Sequence, residues 1–88
     1  MKKPYDDIFL KHCPTIDLHG CDRDYALILV EDFINENILL KNRKVVIITG
    51  KGSGIVNKTT LNFLKNNRLV INYQINPFNL GMIIVDLE

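Results

Sequence analysis

Four consecutive β-branched residues, Val45-Val46-Ile47-Ile48, constrain this chain more than any other stretch. A short, continuously apolar run of this kind is the pattern of a central strand in a parallel sheet, because such a strand is covered on both faces. It runs directly into Thr49-Gly50-Lys51-Gly52-Ser53-Gly54, a glycine-rich loop. The pattern that follows predicts a helix from about residue 55 to 66, burying Val56, Thr60, Leu61, Phe63 and Leu64 unevenly. Before the apolar run, Ala26, Leu29, Val30, Phe33, Ile34 and Ile38 recur at three- and four-residue steps and define one buried helical stripe. Asp22 is a good N-cap for that helix, and the basic stretch Lys41-Asn42-Arg43-Lys44 is expected to end it.

Two further strands are expected at residues 69–75 and 82–87, with Asn76-Pro77-Phe78-Asn79 turning between them. Ile16-Asp17-Leu18-His19 alternates apolar and polar and reads as the first strand. The order is therefore β-α-β-α-β-β, an α/β domain. Two strand–helix–strand units favour a largely parallel sheet with right-handed crossovers, closed by a hairpin. Eighty-eight residues fit one domain. Residues 1–12 lack periodicity beyond Ile8-Phe9-Leu10 and read as an N-terminal arm, leaving 13–88 as the domain.

Several classes are disfavoured. No apolar run approaches the roughly 18 residues of a membrane span. Met-Lys-Lys-Pro-Tyr-Asp-Asp lacks the apolar core of a signal peptide, so a cytoplasmic chain is expected. Cys13 and Cys21 are then expected as thiols rather than a disulfide, and without a CxxC pair they do not suggest zinc. The net charge of +1 hides a segregation: residues 1–36 carry eight acids and four bases. Residues 37–88 carry seven bases and two acids, and no carboxylate lies between Asn37 and Val85. A polyanionic partner suits that asymmetry.

Chemistry concentrates at two strand ends. Side chains two apart in a strand share a face, so Asp17 and His19 lie together while Ile16 and Leu18 take the other face. Open α/β sheets place ligands beyond the carboxyl ends of their strands. The glycine loop fits neither the Walker A pattern nor GxGxxG. Even so, glycines let a backbone approach a ligand closely, and amides at a helix start attract anions. Lys51 supplies a point charge inside the loop. If the first two strands are neighbours, Asp17, His19 and residues 49–54 line one crevice. An imidazole oriented by a carboxylate can carry a proton at neutral pH, as phosphodiester cleavage requires.

Asp17-Leu18-His19-Gly20, Thr49-Gly50-Lys51-Gly52, and Gly54-Ile55 leading to Phe63-Leu64 together resemble the Smr (small MutS-related) domain over about residues 13–88. The resemblance implies a two-layer α/β fold similar to the C-terminal domain of translation initiation factor three, with a four-stranded mixed sheet under two helices. It implies an endonuclease that nicks or cleaves DNA or RNA, in mismatch-repair-like proteins or on stalled ribosomes. Its Asp-x-His pair falls on Asp17 and His19, and its Thr-Gly-x-Gly loop on Thr49, Gly50, Lys51 and Gly52. One departure is plain: Phe78-Asn79-Leu80-Gly81-Met82 stands where many members carry Gly-Gly-x-Gly-Ala.

The resulting expectation is an Smr-type endonuclease with RNA slightly preferred over DNA. Asp17, His19 and Lys51 are its catalytic candidates. Thr49, Gly50, Lys51, Gly52, Ser53, Arg43, Lys44 and Lys58 are candidates for holding phosphates. No cofactor is required by the sequence, although a DNA substrate would admit a divalent metal. The expected partner is nucleic acid (RNA or DNA), with the ribosome as a further candidate and no membrane, and the chain is expected to be a monomer. The competing expectations are a non-catalytic nucleic-acid- or ribosome-binding module, and a subunit active only with another protein.

Overall fold

A computed structural model describes residues 13–50 and 54–88, and the expected arm at 1–12 lies outside them. The element order is β1 (Thr15–Asp17), α1 (Arg23–Leu39), β2 (Lys44–Ile48), α2 (Ile55–Lys65), β3 (Val70–Asn76) and β4 (Asn79–Leu87). The four strands form one mixed sheet in the order β1-β2-β4-β3. Among the described residues only β1 and β2 pair in parallel; β4 runs antiparallel to both β2 and β3.

The sheet is therefore less parallel than the strand–helix–strand order suggests. A two-residue connection between β3 and β4 can join only antiparallel strands. Burial then decides which of the two takes the centre. In β4, Gly81, Ile83, Val85 and Leu87 alternate as buried residues, whereas β3 buries only Asn76. The more apolar strand inserts beside β2, and the more polar β3 is left at the edge, where a sheet tolerates exposure.

Register fixes the two faces. Val45 opposes Val85 and Ile47 opposes Ile83, and all four belong to the core with Leu18, Ala26, Val30, Ile34 and Leu64. Val46 opposes Ile84, so this pair lies on the other face by the two-residue period of a strand. In α1 the expected stripe packs inward: Ala26, Val30 and Ile34 are buried, and Leu29, Phe33 and Ile38 pack against the core. Asn37 is buried on the same side. Its amide donates to the Phe33 carbonyl (2.8 Å), and its carbonyl oxygen accepts from the Asn42 amide (2.9 Å). A polar residue is tolerated there because both its hydrogen-bonding ends are used.

Asp22 caps α1 as expected, its carboxylate accepting from the Tyr25 N–H at 2.8 Å. The other end differs from expectation. The helix stops at Leu39 with no basic residue in its last turn, and Lys41 turns the chain in a left-handed conformation (φ 62°). Three residues later Lys44 already opens β2. Charge thus plays no part inside the last turn, and backbone reversal at Lys41 ends the helix.

Left-handed backbone costs an L-residue about 1–2 kcal/mol, part of which glycine returns through its greater unfolded-state freedom. Lys41→Gly is expected to raise stability by about 0.5–1 kcal/mol, and Asp22→Ala to lower it by about 1 kcal/mol. Urea unfolding midpoints measure both, and a loss of stability in Lys41→Gly would contradict this account of the helix end.

Candidate functional site

The parallel pairing of β1 and β2 brings their carboxyl ends together, with Asp17 opposite Ile48. Leu18 extends that ladder by one bond, donating its N–H to the Ile48 carbonyl at 2.7 Å, and its side chain is fully buried. The chain then reverses at once. Cys21 N–H returns to the Leu18 carbonyl at 3.0 Å, with Gly20 at φ 81°. A four-residue turn with positive φ at its third position is of type II, which requires glycine there. His19 consequently occupies the outer corner of the turn, and its side chain is 74% exposed.

Asp17 holds that corner. One carboxylate oxygen, Oδ1, accepts the His19 backbone N–H at 3.0 Å and lies 3.2 Å from His19 Nδ1. The backbone N–H is the main reason the Asp17 carboxyl sits below its ordinary pKa of 3.8; desolvation opposes it, and the imidazole contact and charge lower it by lesser amounts. An ionised carboxylate can only accept, so the ring contact places a proton on Nδ1 and leaves Nε2 as the basic atom. This pair stands in water and contributes orientation more than stability.

The loop after β2 closes against this corner through glycine. Gly50 has φ 82°, and a Cβ added there would lie 3.1 Å from the His19 Cβ. On its other side Gly50 meets β4: a Cβ on Gly81 would lie 2.9 Å from the Gly50 carbonyl oxygen. Thr49 fastens the same junction, its N–H donating to the Gly81 carbonyl at 2.7 Å. Thr49 is buried, and its hydroxyl accepts from the Asn57 amide at 3.0 Å. The Asn57 amide also approaches the Leu80 carbonyl at 3.4 Å. The ends of β1 and β2, the start of β4 and the first turn of α2 are thereby joined.

The expected residues divide into groups. Asp17, His19, Thr49 and Gly50 are brought together. Lys51, Gly52 and Ser53 lie outside the described residues. Lys58 is exposed in the first turns of α2, on the loop's side. Arg43 and Lys44 are not brought to this corner: they precede and open β2, roughly 13 Å along the strand from its carboxyl end at 3.3 Å per residue. Lys44 there pairs with Asp86 at 3.3 Å. Asn57 and the structural part played by Gly81 were missed by sequence reasoning. An asparagine two residues into a helix has no sequence signal for an inward role, although the glycine retained at 81 was a hint. Among the described residues no group of three or more His, Cys, Asp or Glu is arranged to hold a metal ion, and no helix is long and apolar enough to cross a membrane.

Comparison with known proteins gives a consistent result. A family model, the Smr domain, matches residues 16–88. The chain is 41% identical over 66 residues to the endonuclease MutS2 of Helicobacter pylori, covering 75% of this chain and 9% of that protein. It is 30% identical over 77 residues to the endonuclease MutS2 of Clostridium botulinum, covering 84% of this chain and 10% of that one. The chain thus spans about a tenth of the length of these relatives. The crystal structure of the Smr domain of Thermus thermophilus MutS2 superposes with a TM-score of 0.82 at 23% identity, over 85% of this chain and 98% of that one. YdaL, a stand-alone small MutS-related protein from Escherichia coli, gives 0.76 at 23% identity, over 84% and 63%. Both show the same fold.

Two outcomes test the corner. Gly81→Ala forces a methyl group onto backbone atoms of Gly50, so it is expected to cost about 1–3 kcal/mol and to shift the amide resonances of Thr49 and Gly50. In His19→Ala the backbone N–H survives, so Asp17 is expected to titrate still below 3.8. The stability from this contact is present above the unfolded value and is lost only as pH falls through the lower folded one. Carboxyl NMR titration reads it, and a return of Asp17 to about its ordinary value would show that the ring, not the backbone, is responsible.

Proposed function

The chain belongs to the Smr domain family, and from that premise we propose that it is an Smr-type endonuclease, cleaving phosphodiester bonds in RNA in preference to DNA. The observation that carries the proposal is the close packing of Gly50 against His19, whose Nδ1 is held by Asp17. In this reading His19 is the proton carrier, and Gly50 lies against it at the carboxyl ends of two parallel strands. A phosphate held at this corner would meet the Gly50 backbone and His19 Nε2, and Lys51, next in the chain, is assigned the role of a cation for it.

In RNA the nucleophile is already in the substrate. His19 Nε2 takes the proton of the 2′-hydroxyl as its oxygen attacks phosphorus. The bond to the 5′-oxygen breaks, and that oxygen leaves with a proton from solvent. The products are a 2′,3′-cyclic phosphate and a 5′-hydroxyl. Asp17 keeps the imidazole in the tautomer that can accept, and stabilises it once charged. Loop amides counter the charge that develops on the phosphate oxygens. With DNA a water must attack instead, and a divalent cation would be the means of activating it.

Thr49 and Asn57 have supporting roles in this reading, holding the loop's first residue from within. Lys58 adds affinity for the strand near the cut, while Arg43 and Lys44 serve a longer substrate that reaches the other end of β2. The absence of carboxylates between Asn37 and Val85 favours a second reading, a module that binds nucleic acid or the ribosome without cutting it.

Incubation with end-labelled RNA and DNA, with and without EDTA, separates the two. His19→Ala is expected to slow cleavage by at least about 100-fold, the scale of a lost general base, while binding changes by less than about threefold. Cyclic-phosphate ends that form equally well in EDTA are the expected products. Undiminished cutting by His19→Ala would refute the catalytic assignment, and no cutting of any substrate by the wild type would favour the binding module.

A further inference from the structure

Beside the proposed cleavage corner lies a second feature that the reaction does not use. A cleft of roughly 430 Å³ opens between the start of α2 and the β3–β4 hairpin, lined by Gly50, Asn57, Lys58, Pro77, Phe78 and Leu80. Gly50 is common to this cleft and to the contact with His19. Phe78 and Leu80 are 66% and 68% exposed, large apolar side chains left in water at the cleft's mouth.

The backbone that carries the ring is fixed by local bonds. Asn76 is fully buried, and its side chain accepts the Phe78 N–H at 2.8 Å, while Asn79 accepts the Gly81 N–H at 3.1 Å. Pro77 fixes the first turn position. Neither Pro77 nor Phe78 has positive φ, so the two-residue loop is not of the primed kind usual in hairpins. The pairing instead shifts register between Ile75 and Asn76. An irregularity of that kind bends a hairpin and re-aims its tip. On the facing wall, Asn57 is anchored through Thr49, and Lys58 brings a cation.

We propose that this cleft is a base-stacking subsite for an unpaired nucleotide adjoining the scissile phosphate. It rests on the reading of the corner as a phosphodiester-cleaving site, and it names the substrate class as single-stranded or locally unpaired nucleic acid. A planar base covers Phe78 and Leu80, and Lys58 meets the phosphate attached to it. Inside a duplex both faces of each base are already stacked, so a paired nucleotide cannot use the ring. Stacking accepts any base, because every base has a π-face; selection is for strandedness, not sequence.

Fluorescence anisotropy with a labelled 12-nucleotide 2′-O-methyl RNA, which lacks the internal nucleophile, tests binding apart from cleavage. The same strand annealed to its complement supplies the duplex arm. Phe78→Ala is expected to weaken single-strand binding by about 5- to 100-fold and duplex binding by less than twofold. Phe78→Tyr should restore single-strand affinity to within about twofold, with unchanged thermal unfolding in both variants. Phe78→Ala should leave the slope of log affinity against log salt unchanged, whereas Lys58→Ala should reduce it by about one. Equal loss on both arms, or no loss on either, would overturn the subsite. Cleavage of unmodified RNA is followed in parallel. Cutting with Phe78-independent binding removes the stacking proposal alone, while Phe78-dependent binding without cutting removes the nuclease reading and leaves a stacking site with no scissile phosphate beside it.

Discussion

Gly50 sits with its backbone against His19 on one side and against Gly81 on the other. The convergence of segments at this end of the sheet depends on the absence of side chains at this junction. A methyl group at either glycine would meet neighbouring atoms at about 3 Å, closer than packed carbon atoms tolerate. Three segments can therefore converge only if two of them are reduced to backbone. Thr49 and Asn57 complete the convergence from inside, with hydrogen bonds of 2.7 and 3.0 Å. Short polar side chains suit this position because they satisfy backbone groups without adding bulk or charge.

The sheet gives that junction its rigidity. Val45, Ile47, Ile83 and Val85 meet across β2 and β4 and are fully buried beneath Val30, Ile34 and Leu64. Asp17 and His19 are the opposite case, exposed on a turn corner and fixed by local bonds. Such a division would suit the proposed nucleic-acid substrate: the support is dry and packed, and the exposed corner is wet. It also bears on the comparisons, because a TM-score of 0.82 at 23% identity is what results when packing fixes a fold through residue size and polarity more than residue identity.

The hairpin at Pro77 and Phe78 is where this chain departs from the glycine-rich pattern that its resemblance suggested. In place of a stretch that would line the cleft with backbone alone, an aromatic and a leucine project into water. Gly81 is kept, as the contact with Gly50 demands. The departure therefore leaves the junction intact and changes only the wall beside it.

Much of this architecture was legible in the sequence. The element order, the Asp22 cap and the buried stripe of α1 all follow from periodicity and capping, which act over four residues or fewer, whereas His19, read as strand, sits on the turn that follows β1. Sequence periodicity does not report strand order. The insertion of β4 between β2 and β3 was decided by competition for the buried centre, and it made the sheet mixed. The same long-range choice brought Gly81 to Gly50 and Leu80 to Asn57, and it left Arg43 and Lys44 at the far end of β2. Chemistry-bearing residues could thus be named from the sequence, because their types and spacing are local properties. Which of them share a surface was settled only in three dimensions, where contacts join residues some thirty positions apart and packing energy, not spacing, selects them.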